Sequence, residues 1–209
     1  MKTIFLISDF PHGLTEDFQK EFVQCVSKKE RFCYVSSSFS KHESNKKYAN
    51  RIFEMFQSAG FNYDKWVLID DRMSVKEVKA QIEKADAVFL AGGDTLLQIQ
   101  SLKEYGIDQI LQNSNAVIMG LSAGAINLAK TVVLAKDESD NIPELSVYSG
   151  LGLVDINIEP HLDLTHQQHL QEIMEAAKHS EIIGLYDNSF IRVNGNDYEI
   201  FGPYRRFKA

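Results

Sequence analysis

The segment Ala116-Val117-Ile118-Met119-Gly120-Leu121-Ser122-Ala123-Gly124 decides the fold. Its first four residues are apolar without alternation, which is typical of a strand buried on both faces of a parallel sheet. Two glycines then flank a serine, and a stretch of helical character covers 125–130. Glycine is needed where a strand-to-helix turn is so tight that side chains would collide with backbone. We therefore predict a strand, a sharp turn and a helix, with Ser122 exposed at the carboxyl end of the strand.

On both sides of this segment, short β-branched or aromatic runs alternate with longer stretches of helical period. The alternation is typical of a mostly parallel sheet covered by helices on both faces. We predict an α/β fold, a three-layer α/β/α sandwich. The predicted strands are Thr3–Ile7, Arg31–Ser36, Lys65–Ile69, Ala87–Leu90 and Ala116–Met119, and the predicted helices are Thr15–Lys28, Tyr48–Ala59, Ser74–Lys84 and Thr95–Tyr105.

The pattern changes after residue 130. Extended pieces at Thr131–Leu134 and Leu153–Ile158 precede a helical stretch, Gln167–Lys178, and a strand, Ile182–Leu185. A C-terminal β-hairpin follows, because Asn194-Gly195 tolerates the positive φ that a tight turn requires. The hairpin strands are Phe190–Val193 and Tyr198–Phe201. We find no internal repeat or linker, so we predict a single domain over residues 1–209.

Composition narrows the range of partners. The 209 residues include 22 Lys plus Arg against 29 Asp plus Glu, a net charge of −7. An acidic balance without a basic stripe argues against nucleic acid or an anionic membrane as a partner. No apolar run reaches the ~18 residues that span a bilayer, and Cys25 and Cys33 are too few for a disulfide framework. We predict a cytoplasmic monomer or homodimer.

The turn around Ser122 matches the G-x-S-x-G nucleophile elbow in letters and in context. Free N–H groups and the positive end of the following helix would favour negative charge there. The alternative is a serine that only caps a helix. A serine nucleophile needs a base, and His161 is the best candidate because it follows a strand and Pro160; His12 is second. His166 and His169 could share a helix face as metal ligands, but no third ligand suggests itself, so we predict no metal and no cofactor.

Two residues could orient the base. Asp187 ends a predicted strand, where active-site groups gather in open α/β sheets, whereas Asp137 lies in a charged loop. The residues alone favour Asp187 only slightly, so both stay open.

A second glycine cluster, Gly92-Gly93-Asp94-Thr95, also follows a buried strand. Asp94 would repel phosphate, which argues against a nucleotide loop and leaves either a plain turn capped by Asp94 or a source of backbone donors. The amides of Gly93 and Ala123 could together form an oxyanion hole.

These motifs, with Glu159-Pro160-His161 and Gly184–Val193, resemble peptidase family S51 in the family's order over nearly the whole chain. The family includes aspartyl dipeptidases and cyanophycinases. The resemblance implies a glutamine-amidotransferase-like α/β sandwich with Ser122 as nucleophile, His161 as base, Gly93 and Ala123 as oxyanion donors, and an acid at Asp187 or Asp137.

The chain departs from the family in two places. Asp94, a candidate substrate-binding residue, stands where the family has asparagine, which places a negative charge beside the proposed oxyanion hole that could repel a substrate carboxylate. The stretch Leu164–Leu170 lacks the arginine that aspartyl dipeptidases carry after the histidine, so aspartate specificity does not follow. Arg192 could supply a substrate-binding cation instead, although a surface arginine on a hairpin is the commoner fate.

We predict a serine-type, dipeptidase-like hydrolase that forms an acyl-enzyme on Ser122 from a small peptide. Two alternatives stay open: an esterase or amidase for a non-peptide compound, and a non-catalytic relative that binds a small ligand. Amidotransferase activity is disfavoured because neither cysteine is at the elbow.

Overall fold

The computed structural model describes residues 2–138 and 142–209. In these two ranges the strands and helices alternate through the first half of the chain, and strands predominate at the end. The strands are β1 (Thr3–Ile7), β2 (Arg31–Val35), β3 (Lys65–Ile69), β4 (Ala87–Leu90), β5 (Val117–Leu121), β6 (Thr131–Leu134), β7 (Ser146–Ser149), β8 (Asn157–Glu159), β9 (Ile182–Leu185), β10 (Phe190–Asn194), β11 (Asp197–Phe201) and β12 (Tyr204–Phe207). The helices are α1 (Glu16–Cys25), α2 (His42–Ser58), α3 (Val75–Ile82), α4 (Thr95–Glu104), α5 (Ile107–Asn113), α6 (Ala123–Asn127) and α7 (Gln167–Ala176).

The central sheet has seven strands in the order β11-β10-β1-β5-β4-β2-β3. The five strands from β1 to β3 in this order are parallel, and the hairpin β10–β11 adds two antiparallel strands at one edge. A small sheet, β12-β9-β8, and a β6–β7 pair complete the strand pairing. As predicted, β4 and β5 lie in the interior of the sheet and are buried on both faces.

Each face of the central sheet has its own apolar core. On one face, Phe18 and Phe22 of α1 and Phe56 of α2 pack with Phe5 of β1 in an aromatic cluster. On the other, α3, α4, α5 and α6 bury aliphatic side chains against β4 and β5. The predicted three-layer α/β/α sandwich and the C-terminal hairpin are therefore confirmed.

Several element boundaries differ from the prediction. Helix α2 begins at His42 rather than Tyr48, because its polar first turns are held by the buried Asn45 amide, which donates to the carbonyls of Ser38 and Phe39. Helix α5 and strands β7 and β12 are too short to show a clear period, so the sequence does not predict them. Helix α6 begins at Ala123, two residues earlier than predicted. No described helix is long and apolar enough to cross a membrane.

The carboxyl ends of the parallel strands meet at one edge of the sheet. There β1 leads into Ser8 and Asp9, β2 into 36–38, β4 into the Gly92 loop and β5 into Ser122. Ligands of open α/β sheets bind at this edge.

Candidate active site

The turn between β5 and α6 leaves no room for side chains at its two glycines. A Cβ on Gly120 would lie 2.5 Å from the amide nitrogen of Ala125, and one on Gly124 would lie 2.4 Å from the carbonyl oxygen of Leu90. Between them, Ser122 has φ 48° and ψ −113°, a conformation that costs a non-glycine residue about 1–3 kcal/mol. Its N–H donates to the Ile7 carbonyl at 2.9 Å. This is the predicted sharp turn, and it presents Ser122 at the end of β5.

Three side chains from distant parts of the chain form a hydrogen-bonded series here. The Ser122 Oγ lies 3.2 Å from Nε2 of His161, and Nδ1 of the same ring lies 2.8 Å from Oδ1 of Asp187. Because a carboxylate only accepts, Nδ1 donates to Asp187 and Nε2 is left to accept from the Ser122 hydroxyl. The His161 and Asp187 side chains are 44% and 45% exposed, so the series is open to solvent.

The series lies in a cleft of about 420 Å³. Part of its lining is aromatic, with the rings of Tyr34 and Phe89 stacked at a centroid distance of 5.9 Å. Burial raises the pKa of Tyr34, so its phenol stays protonated. One side of α2 forms another wall. The α2 residues that line the cleft are Ser44, Asn45, Tyr48, Arg51, Ile52 and Met55.

Gly93 and Ala123 lie in the two turns that follow β4 and β5, and Ala123 directly follows Ser122 in the sequence. Gly93 lines the cleft and has φ +135°, which favours glycine, and a Cβ on it would lie 2.4 Å from the Ser37 Oγ. In the described ranges, neither the Gly93 N–H nor the Ala123 N–H donates to a protein acceptor. Helix α6 has only five residues, so these individual N–H groups matter more than a helix dipole.

Asp94 lines the same cleft, but its carboxylate already has a structural partner. Oδ1 accepts from the Leu97 N–H at 2.9 Å, which caps the N-terminus of α4. The capping that the sequence analysis considered for Asp94 is thus present, and it holds this negative charge against the helix.

The structure brings Asp187 to His161, and it brings Asp137 to a different histidine. Asp137 pairs with Ile142 in a short bridge, and its Oδ2 lies 3.8 Å from Nδ1 of His169. The Nε2 of His169 lies 3.1 Å from Oε1 of Glu159. His169 therefore sits between two carboxylates, neither of which belongs to the Ser122 series.

The structure does not bring Arg192 to the cleft. Its guanidinium on β10 pairs with Glu21 and Glu199, and it lies over the ring of Phe201. His12 lines a neighbouring pocket together with Arg51 rather than the cleft itself.

The cleft contains three charged residues that the sequence analysis missed. Lys41, the residue before α2, and Arg51, within α2, both line the cleft. Neither forms an ion pair with any residue in 2–138 or 142–209. Asp9, after β1, lines it near His161 and Asp187. The polar first turns of α2 carried no periodic signal that would have pointed to Lys41.

Two groups of side chains in the described ranges offer three potential metal ligands each. Asp9, His161 and Asp187 form one group, with ligand atoms within 4.8 Å of one another. The other is His42, Asp70 and Asp71, in which the Asp70 carboxylate already takes two bonds from the Arg72 guanidinium. The absence of a metal and a cofactor stays a prediction.

Comparison with known proteins assigns the chain to a family. A family model described as peptidase family S51 matches residues 4–201. The chain belongs to peptidase family S51. The resemblance seen in the sequence motifs is thereby confirmed, and membership supports a peptidase.

Several curated proteins are similar to the chain at low identity. An uncharacterized peptidase of Pasteurella multocida is 28% identical over 77% of each chain. An uncharacterized peptidase of Listeria monocytogenes is 26% identical over 59% of this chain, and peptidase E of Salmonella typhi is 28% identical over 62% of it. The chain spans 64% and 61% of the length of these last two relatives.

Solved structures show the same fold. A peptidase from an acI-B1 actinobacterium matches with a TM-score of 0.74 and 16% identity, over 100% of this chain and 95% of the other. A putative peptidase E protein from Listeria monocytogenes matches with a TM-score of 0.70 and 20% identity, over 96% and 98%.

The histidine between two carboxylates generates a pH prediction. The bond to Glu159 raises the pKa of His169 above its ordinary 6.5, so this stabilisation is present below about 6.5 and is lost as the pH rises through the raised pKa. We expect His169→Gln to lower the free energy of unfolding more at pH 6 than at pH 9, measured by urea denaturation. The exposed neighbour variant His166→Gln serves as control. An equal loss of unfolding free energy at both pH values would contradict the raised pKa of His169.

Proposed function

We propose that the protein is a serine-type peptidase that hydrolyses small peptides through an acyl-enzyme on Ser122. The observation that carries the proposal is the series from Ser122 through His161 to Asp187, which begins at a strained turn. A serine, an imidazole and a carboxylate in this order are the groups that acyl transfer requires. Family membership supports the same class of reaction.

The proposed reaction uses the tautomer of His161 in which Nδ1 carries the proton and Nε2 accepts. Ser122 Oγ attacks the scissile carbonyl while Nε2 of His161 takes its proton, and the resulting imidazolium is stabilised by Asp187. His161 then returns the proton to the leaving amine, which departs and leaves an ester on Ser122. Water attacks this ester while His161 takes its proton, and His161 then returns that proton to the Ser122 oxygen as the acyl part of the peptide leaves as a carboxylic acid.

The N–H groups of Gly93 and Ala123 are the proposed oxyanion donors. In the described ranges neither N–H donates a hydrogen bond to the protein. Their two loops are in contact, since a Cβ placed on Gly92 would lie 3.4 Å from the Cβ of Ser122. Donors that already point to the position of the developing charge lower the barrier without reorganisation.

Asp187 is the proposed orienting acid. Its carboxylate accepts from His161 at 2.8 Å, whereas Asp137 is engaged with His169. Without the carboxylate of Asp187 at Nδ1, nothing would fix the tautomer of the His161 ring.

The charges of the cleft favour a short peptide with free ends. Asp9 offers a carboxylate to the terminal ammonium, and Lys41 and Arg51 offer cations to the terminal carboxylate. The two cations are ten residues apart on or beside α2, about 15 Å at the rise of an α-helix, so they offer two separate positions for the terminal carboxylate. Folded proteins rarely present free ends in this way.

The proposal is tested with a panel of dipeptides, Asp-X, Glu-X, Ala-X and Lys-X, incubated with the wild type and Ser122→Ala at equal concentration. We expect cleavage of at least one peptide and its loss by a factor of about 10³ or more in the variant, because the nucleophile is removed. Product formation is measured by chromatography.

Urea denaturation of both proteins controls for folding. Cleavage that survives in Ser122→Ala would contradict the proposed mechanism. If the folded wild type cleaves no peptide, a non-peptide ester or amide, or binding without catalysis, becomes the better explanation.

The role of the cations is tested with Lys41→Met/Arg51→Met, which removes both charges and keeps an unbranched apolar side chain at each position. We expect KM for the best free dipeptide to rise about tenfold, as loss of a charged hydrogen bond predicts, and KM for its C-terminal amide to stay constant. The matched control is Lys46→Met/Lys47→Met, two exposed α2 positions outside the cleft. An equal rise for peptide and amide would contradict carboxylate recognition.

A further inference from the structure

Ser8 is a buried serine that directly follows β1, the strand between β10 and β5 in the central sheet. Its side chain is 0% exposed, and its N–H donates to the Ser189 carbonyl at 3.1 Å. The preceding residue, Ile7, accepts from the Ser122 N–H. The end of β1 is therefore in direct contact with both the serine turn and the segment that carries Asp187.

The Ser8 hydroxyl joins the other two members of the series. It accepts from the His161 N–H at 2.8 Å, and it lies 3.3 Å from Oδ1 of Asp187 and 3.2 Å from the Leu185 carbonyl. Because a hydroxyl has one proton, it accepts from His161 while donating to one of the two acceptors at a time. One buried oxygen thus contacts the main chain of the base and the carboxylate of the acid.

His161 needs such a contact because its backbone is strained. It has φ 55°, a left-handed conformation that is uncommon for a non-glycine residue, just after β8 ends. Its N–H has no place in a strand ladder, and in 2–138 and 142–209 the Ser8 Oγ is its sole partner. Asn188, also left-handed at φ 67°, donates its N–H to the Asp9 carbonyl at 2.7 Å. The end of β1 therefore holds both unusual turns.

We propose that Ser8 is a positioning residue that fixes His161 relative to Asp187 and so keeps the imidazole aligned with Ser122. The inference rests on the proposed function above. Ser8 contacts no substrate, since it does not line the cleft. Its hydroxyl acts through the main chain of His161 and the carboxylate of Asp187.

The test is a double-mutant cycle on kcat and KM for the best-cleaved dipeptide, with Ser8→Ala, Asp187→Asn and the double variant. We expect Ser8→Ala to lower kcat about 10- to 100-fold with KM within about twofold, because the lost bond aligns the base rather than binds substrate. In the Asp187→Asn background the same change is expected to cost less than about threefold, because residues that act as one unit are not additive.

The matched control is Ser36→Ala, a buried serine that follows β2 and whose hydroxyl has no partner in the described ranges. It should leave kcat unchanged. If Ser8→Ala does not fold, Ser8→Cys takes its place in the cycle, because a thiol of similar size is a weak donor and acceptor.

An unchanged kcat, a change confined to KM, or additive effects in the cycle would overturn the role of Ser8. Ser122→Ala is measured in parallel to separate the two proposals. Activity in Ser122→Ala would overturn the proposed function itself, whereas an inactive Ser122→Ala beside a fully active Ser8→Ala would overturn only this inference.

Discussion

The cleft depends on backbone packing at two glycines. Gly124 lies against the carbonyl of Leu90, the last residue of β4, and Gly120 lies against the first turn of α6. Because no side chain fits at Gly124, the turn after β5 packs directly on the end of β4, and the loops around Gly92 and Ser122 touch. The position of Ser122 beside the Gly92 loop follows from this packing. A side chain at Gly124 would push this turn away from β4, and one at Gly120 would push α6 away from the end of β5.

The other half of the site comes from the small sheet outside the central one. His161 follows β8 and Asp187 follows β9, and these two strands are parallel neighbours, so their carboxyl ends lie side by side. The end of β1 joins this sheet to the central one through its contacts with the segments that follow β8 and β9. The series of three side chains thus spans two sheets, and its geometry depends on how they are joined rather than on any single loop.

Sequence patterns predicted the parts of the fold that have strong periodicity. Strands β1 and β4 have the predicted bounds, because continuous apolar runs identify buried strands well. The edge strand β3 also has the predicted bounds, and its β-branched and aromatic residues identify it. The first turns of α2 were missed because they are polar and are stabilised by one buried asparagine, which leaves no apolar period. Lys41 was missed for the same reason. Periodicity locates elements along the chain and does not show which polar side chains they bring to a shared cleft.

The candidate site was only partly predictable, for a related reason. The G-x-S-x-G turn is a local pattern that a sequence displays in full, so Ser122 stood out, and His161 followed from its position after a strand. The choice between Asp187 and Asp137 depended on the pairing of β8 with β9, which is a long-range contact. Ser8 carried no signal, because a serine after a strand has many ordinary roles, and only its three contacts distinguish it.

The central claim, that Ser122 is activated by His161, is tested most directly by a fluorophosphonate probe followed by intact mass and peptide mapping. An unactivated serine reacts poorly with such a probe. We expect one adduct per chain, mapped to the peptide that contains Ser122, and no adduct in folded His161→Ala under the same conditions. The absence of an adduct on the wild type, or an adduct on Ser37 or Ser38 instead, would contradict it.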